Sequence, residues 1–209
     1  MSERQPTLQY TSREHQAATA VIGMWLFLAS EVLFFGGLLF CYAVYRHLYP
    51  IGFADAVRRT NLLIGTINTA ILLTSSLVLS LGVLGNGRRL VVCCVGTAGL
   101  GVGFLALKGV EYVLDWRGHL LPGTGFAQSG LTERGAELFY LFYYTATGLH
   151  AVHMAVGIAL LLILARRAAR GAFSSGDRAP VVVGALYWSF VDIVWVTLYP
   201  LIYLVGRVT

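Results

Sequence analysis

The sequence has little charge, a single lysine and no disulfide framework. Only 12% of its 209 residues are charged, about half of the roughly 25% usual in soluble domains. The basic residues are 14 arginines and Lys108, scattered between apolar runs instead of forming one basic face, so nucleic-acid binding is not expected. All three cysteines (Cys41, Cys93 and Cys94) lie inside apolar segments, which excludes a disulfide scaffold.

Motifs of independent catalysis are also missing. The sequence contains no phosphate-binding Walker loop, no Ser/His/Asp set and no Cys-x-x-Cys-His haem attachment site. The longest loop runs only from Arg117 to Ala136, which leaves no room for a soluble catalytic domain. We therefore predict no catalytic residues in this chain, and a role as a subunit that depends on a partner.

Long apolar runs dominate what is present. The apolar fraction is 57% and the mean hydropathy is +0.72, more than a soluble domain of this size can bury. Segments of about 20 apolar residues are needed to cross a membrane as a helix. Five fit, at residues 19–45, 62–84, 90–116, 137–164 and 181–205. The sequence thus predicts an all-α, polytopic membrane protein with one transmembrane domain over residues 1–209, a bundle of five helices.

The five spans place the two termini on opposite sides of the membrane. The first span is too long for a signal peptide and has no cleavage site of small residues, so it is expected to be retained. Eight arginines lie on the side of the N-terminus and six on the other. The positive-inside rule therefore favours a cytoplasmic N-terminus and a periplasmic or extracellular C-terminus.

Four ionisable residues lie at about the same depth on three spans: Glu31, His150, His153 and Asp192. Such groups are costly in a bilayer and usually face a partner or a cavity. They either form polar contacts between helices, or include a functional carboxylate at Glu31 that titrates or touches a lipid or a proton path. A metal site is the third alternative, favoured by two histidines three residues apart. Di-iron bundles, however, use Glu-x-x-His motifs from two helices, and this sequence has none, so no metal is predicted.

The third span carries two further features. Lys108 and Glu111 are three residues apart and are expected to pair along the helix, while the Lys108 ammonium is expected to snorkel to the membrane interface. The Gly99-x-x-x-Gly103 motif predicts close packing against another helix, in this chain or in a partner.

A basic cluster follows the fourth span, where an anionic lipid head group is the expected ligand. Its members are Arg166, Arg167 and Arg170.

Taken together, one stretch in each span resembles a known family, subunit III of the haem-copper cytochrome oxidases. The stretch Gly23–Gly37 resembles the family's helix that bears a buried glutamate, and Thr147–Gly157 resembles its Thr-Gly-x-His-x-x-His helix. The remaining stretches, in the same order as in the family, are Asn68–Ser76, Leu107–Tyr112 and Tyr187–Trp195 with Tyr199–Tyr203. The chain resembles the short, five-helix bacterial form. One position departs: Ser189 stands where the family has histidine, which puts in doubt any role carried over to that position.

The resemblance implies a non-catalytic subunit of a respiratory cytochrome c oxidase in the bacterial inner membrane. It implies no haem or copper in this chain, since those cofactors belong to partner subunits. It further implies packing on subunit I, with subunit II in the same complex, bound phospholipid, and support of proton uptake and of stability during oxygen reduction. Glu31 corresponds to the family's carbodiimide-reactive glutamate, and Glu111, His150, His153 and Asp192 fall within the matching stretches.

Several alternatives stay open at this point. A quinol oxidase subunit III and the related accessory protein of nitric oxide reductases share the pattern, and the sequence does not identify the electron donor. From other functional classes, a small proton channel or transporter would use Glu31, His150, His153 and Asp192 as a relay, and a metal-dependent membrane enzyme would need a metal on the same residues.

Overall fold

The computed structural model describes residues 13–85, 87–123, 126, 134–173 and 178–207. These residues form helices and their connections, with no β-strand among them. The helices are α1 (Arg13–Leu48), α2 (Pro50–Arg59), α3 (Leu62–Val83), α4 (Arg88–Arg117), α5 (Arg134–Ala169) and α6 (Ala179–Tyr199). A π-helical turn, Pro200–Leu204, continues α6.

Five of these helices are long and apolar enough to span a membrane, which confirms the all-α, five-span bundle. They are α1, α3, α4, α5, and α6 together with its π-helical turn. The helices extend beyond the apolar runs: α1 begins six residues before the expected start at residue 19, and α5 continues through Arg166 and Arg167. Because arginine is a good helix former, polar flanks prolong a helix past the hydrocarbon layer.

The short helix α2 was not predicted. Pro50 occupies its first turn, where the missing N–H costs nothing. Its buried residue Gly52 packs directly on the backbone of Gly135, since an added Cβ would lie 2.8 Å from the Gly135 Cα atom. Near the end of the chain, Arg207 donates hydrogen bonds to the carbonyls of Val57 and Thr60. These contacts hold α2 against the ends of α5 and α6.

Helix α6 lies at the centre of the bundle and α1 at its edge. Helices α3, α4 and α5 pack in sequence, and α6 contacts α3, α5 and α1. In an apolar stretch of 18 residues, half of the residues of α6 are buried, against 11% of those of α1. Trp188 and Trp195 of α6 fill the interior, where their indole N–H groups donate to Ser75 Oγ at 3.1 Å and Thr69 Oγ1 at 3.0 Å on α3. Each buried indole nitrogen is therefore satisfied without water.

Candidate functional site

Glu31 of α1 and His153 of α5 come together about halfway along the two helices. Glu31 lies halfway along α1, and its Oε2 atom is 3.2 Å from Nε2 of His153 on α5. The two side chains are 19% and 16% exposed. On the other side of its ring, His153 Nδ1 lies 2.9 Å from the carbonyl oxygen of Leu149. The sequence predicts the shared depth of the two residues, and the structure adds that they are in direct contact.

Aromatic rings pack around the His153 member of this pair. The ring of Phe35 meets that of His153 edge-on, with 5.4 Å between centroids. Tyr187 of α6 stacks on His153 at 6.4 Å, and its hydroxyl donates to the His153 carbonyl at 3.2 Å. We call Glu31, His153 and Tyr187 the α1–α5–α6 junction. These rings limit the water that reaches the imidazole, which strengthens its interaction with the Glu31 carboxyl group.

His150 does not join this junction. It is 1% exposed and lies between Phe104 and Trp195, at centroid distances of 5.4 Å and 5.2 Å. Neither ring nitrogen has a hydrogen-bond partner among the described residues.

Asp192 is also separate from the junction. Its side chain faces α3, where Ser76 donates a hydrogen bond to Oδ2. The four residues predicted at one depth therefore divide among three places in the bundle.

A second polar centre, around Lys108, is more elaborate than predicted. The expected pair is confirmed, since Lys108 Nζ donates to Glu111 Oε2 at 2.8 Å. Tyr203 connects both partners: its hydroxyl accepts from Lys108 at 2.7 Å and donates to Glu111 Oε1 at 2.7 Å. Glu111 thus belongs to this centre and not to the junction.

The expectation that Lys108 snorkels to the interface is wrong. Its side chain is 5% exposed, and the ammonium lies 4.8 Å from the ring centroid of Tyr143 and 5.1 Å from that of Trp195. Cation–π attraction and three hydrogen bonds, to Glu111, Tyr143 and Tyr203, stabilise the charge in place. The sequence signal for this buried lysine is the number of tyrosines in the last two spans. Residue spacing alone does not show which way these tyrosines point.

The predicted lipid-facing arginines are exposed at one end of the bundle. Arg166, Arg167 and Arg170 lie in or after the last turns of α5. Arg178 is close to the same end, since it donates to the carbonyls of Val83 and Gly85 at 3.3 Å. This end therefore carries exposed positive charge with no described acidic side chain bridging to it.

An apolar groove of about 360 Å³ lies on the outer face between α1 and α6. Trp25 and Phe35 line it from α1, and Ser189 and Phe190 from α6. Ser189, the position that departs from the family pattern, is exposed to this groove. Phe35 and Phe190 separate the groove from His153.

No group of three or more His, Cys, Asp or Glu side chains within the described ranges could hold a metal ion. The His150 and His153 rings lie in separate surroundings, so the spacing that favoured a metal site does not bring ligands together.

A family model described as Cytochrome c oxidase subunit III matches residues 7–207. The cytochrome c oxidase subunit 3 of Synechocystis is 33% identical over 189 residues, which cover 88% of this chain and 75% of that protein. The chain belongs to the cytochrome c oxidase subunit III family.

Two other relatives extend the comparison within the subunit III family. The haem-copper oxidase subunit I+III of Aeropyrum pernix is 30% identical over 87% of this chain, and the match covers 22% of that longer protein. The cytochrome bo(3) ubiquinol oxidase subunit 3 of Pseudomonas aeruginosa is 27% identical over 89% of this chain and 85% of that protein. Relatives of this chain therefore occur both in oxidases named for cytochrome c and in an oxidase named for ubiquinol. This chain is a multi-pass membrane component of an oxidase complex.

Proposed function

We propose that the chain is the non-catalytic subunit III of a respiratory cytochrome c oxidase and packs on subunit I. The supporting observation is the family match over residues 7–207, together with the named fusion of subunits I and III in one relative. The bundle itself is consistent with a partner-dependent subunit, because α1 leaves large apolar side chains such as Trp25, Leu33 and Phe40 exposed. Haem and copper then reside in the partner subunits, and this chain transfers no electrons.

In this proposal Glu31 is the functional carboxylate and supports proton uptake into subunit I. Its support is the contact with His153, on whose ring Phe35 packs. Phospholipid occupies the outer surface, with acyl chains in the α1–α6 groove and head groups at Arg166, Arg167 and Arg170. The proposed orientation places these arginines and the N-terminus in the cytoplasm of a bacterial cell.

Affinity purification of the tagged chain from its native membrane tests the assignment. We expect a larger subunit carrying haem and copper to co-purify, and oxygen consumption with reduced cytochrome c. The variant Glu31→Gln is expected to co-purify equally well, since it preserves size and hydrogen bonding. A chain that purifies alone, or with stoichiometric visible absorption of its own, would contradict the proposal.

A quinol oxidase subunit III is the second candidate, favoured by the Pseudomonas relative. The same purified complex distinguishes the two candidates, because only one of the two electron donors will support oxygen consumption. The relay hypothesis gains no support from the geometry, since His150 and Asp192 face Trp195 and Ser76 instead of Glu31.

A further inference from the structure

Three polar side chains lie buried near the end of the bundle where α4 ends and α5 begins. They are Asp115, two residues before the end of α4, and Tyr140 and Tyr144, one turn apart on α5. Asp115 is 7% exposed and Tyr140 is fully buried, while Tyr144 is partly buried. Asp115 Oδ2 and both tyrosine hydroxyls have no hydrogen-bond partner among the described residues. Because buried polar groups are nearly always hydrogen-bonded, each of the three needs an explanation.

These three side chains are neighbours. The rings of Tyr140 and Tyr144 have their centroids 6.3 Å apart, and the carboxyl group of Asp115 interacts electrostatically with both phenol groups. The Tyr144 hydroxyl is within reach of that carboxyl group but forms no hydrogen bond of normal geometry with it. The three unpaired oxygens therefore belong to one polar neighbourhood between α4 and α5.

The nearest carboxylate on α4 is already engaged. Glu111, one turn before Asp115, uses one oxygen to accept from Lys108 and the other to accept from Tyr203. Asp115 itself forms no ion pair with any residue in the described ranges. The part of the chain that the structure describes thus leaves these oxygens to a ligand from outside the chain.

Water has the hydrogen-bonding capacity that this set of groups requires. A carboxylate oxygen only accepts, whereas each tyrosine hydroxyl has one proton to donate. One water molecule can donate to Asp115 Oδ2 and accept from both hydroxyls, which makes the three hydrogen bonds typical of buried water. A metal ion would bind the oxygens but leave both O–H groups without an acceptor. We propose that Asp115, Tyr140 and Tyr144 bind an ordered water molecule that joins α4 to α5.

The bound water extends the polar centre around Lys108 toward the end of α4. Asp115 interacts electrostatically with Lys108 and lies one turn beyond Glu111 on the same helix. The subunit then contains internal water at a place separate from the Glu31–His153 contact. This inference goes beyond the subunit assignment and does not depend on it.

Oxidative labelling of the purified complex by synchrotron radiolysis tests the proposal. Radiolysis produces hydroxyl radicals from water in place, so a side chain beside a bound water is oxidised even when it is buried. Tyr140 and Tyr203 are matched, since both are fully buried, but the Tyr203 hydroxyl is bonded to Lys108 and Glu111. We expect mass spectrometry to show Tyr140 oxidised several-fold faster than Tyr203. Equal rates would overturn the proposal.

Phe139 controls for opening of the helices. It is fully buried beside Tyr140 and has no polar group to bind water. After correction for the lower reactivity of phenylalanine, it should be oxidised as slowly as Tyr203. Oxidation of Phe139 as fast as that of Tyr140 would assign the labelling to bulk solvent and overturn the proposal.

Substitutions at the water site give a second test by the same readout. Asp115→Asn keeps a side chain that hydrogen-bonds water, so rapid oxidation of Tyr140 should persist. Asp115→Leu is similar in size but cannot bond water, and the Tyr140 rate should fall to that of Tyr203. Tyr144→Phe removes one of the three hydrogen bonds and should also lower the rate, which provides a reading should the leucine variant not assemble. An unchanged rate in every assembled variant of these two would overturn the proposal.

A high-resolution cryo-electron microscopy map of the native complex identifies the bound species. We expect a density peak at about 2.7–2.8 Å from Asp115 Oδ2 and the two hydroxyls, the usual O–H···O distance. No peak, or a peak with several oxygens at about 2.3–2.6 Å as around a calcium ion, would overturn the proposal. Since neither readout is turnover, such a result would leave the subunit assignment intact. A chain that purifies alone would contradict that assignment without affecting the water site.

Discussion

At the scale of single residues, Lys108 shows how a charge is kept inside a membrane bundle. The ammonium has one carboxylate, at 2.8 Å, and one tyrosine hydroxyl, at 2.7 Å, within close hydrogen-bond distance. Aromatic faces of α5 and α6 lie around it. Burial of an ion pair is tolerated when geometry and added hydrogen bonds offset the lost hydration.

Removing one partner of this ion pair should lower the free energy of unfolding far more than removing both. Lys108→Met leaves Glu111 as an unpaired buried carboxylate, and we expect it to lower the free energy of unfolding by about 3–5 kcal/mol. The double variant Lys108→Met with Glu111→Gln should recover most of that loss. Thermal unfolding of the purified protein in detergent, followed by circular dichroism, measures both. A double variant as unstable as the single one would contradict this explanation.

At the scale of elements, α4 has one packed and one open glycine face. A Cβ added at Gly101 would lie 2.8 Å from Cη2 of the buried Trp188 and 3.1 Å from Ile158. At Gly99 and Gly103 it would meet nothing within 4 Å. The predicted Gly99-x-x-x-Gly103 motif therefore makes no close helix contact within the described chain, and its surface is free for lipid or a partner helix.

These two faces give a matched pair of substitutions two residues apart. Gly101→Ala forces Trp188 to shift in a filled interior, and we expect a loss of about 1–3 kcal/mol in the free energy of unfolding. Gly99→Ala should be neutral or stabilise by up to about 1 kcal/mol, since alanine is the better helix former. Unfolding midpoints in detergent compare the two. Equal losses at both positions would show that Gly99 is packed.

The sequence predicts the spans well because hydrocarbon thickness sets a minimum length for each apolar run. Helix α2 has only 10 residues, PIGFADAVRR, with little apolar excess, so no length rule identifies it.

The depth of a residue in the membrane does not show how its helix is rotated about its own axis either. His150 and His153 lie about 60° apart around α5 at 3.6 residues per turn. That angle is enough to place one against Trp195 and the other against Glu31. Predicting this difference requires knowing which helices pack together.

At the scale of the whole molecule, charge is concentrated at the two ends and the circumference is apolar. The end with Arg166, Arg167 and Arg170 is exposed. The opposite end carries Arg58 and Arg59, also exposed, at the end of α2. Two basic ends allow a direct comparison of lipid binding on the two sides of the bundle.

Neutralising the basic cluster at the end of α5 should weaken its binding of anionic lipid. In the variant with Arg166, Arg167 and Arg170 all changed to Gln, we expect a loss of about 1 kcal/mol per arginine, since each adds that much attraction to an anionic surface. Native mass spectrometry of the purified complex counts the retained anionic phospholipids. Arg58→Gln with Arg59→Gln is the control, with little change expected if the proposed orientation is right; an equal loss there would contradict it.

The burial of Lys108 has a practical consequence for chemistry on the intact complex. The sequence contains no second lysine. The side chain of this one is 5% exposed, and its nitrogen donates hydrogen bonds to Glu111 and Tyr203. Reagents directed at amines, including common cross-linkers and fluorophores, should therefore leave the side chains of the folded subunit unmodified while they mark its neighbours. A lysine introduced at an exposed position such as Arg88 would then be the one accessible lysine side chain of this subunit. Distances from this subunit to its partners could be measured from it without competing labels on other side chains of this subunit.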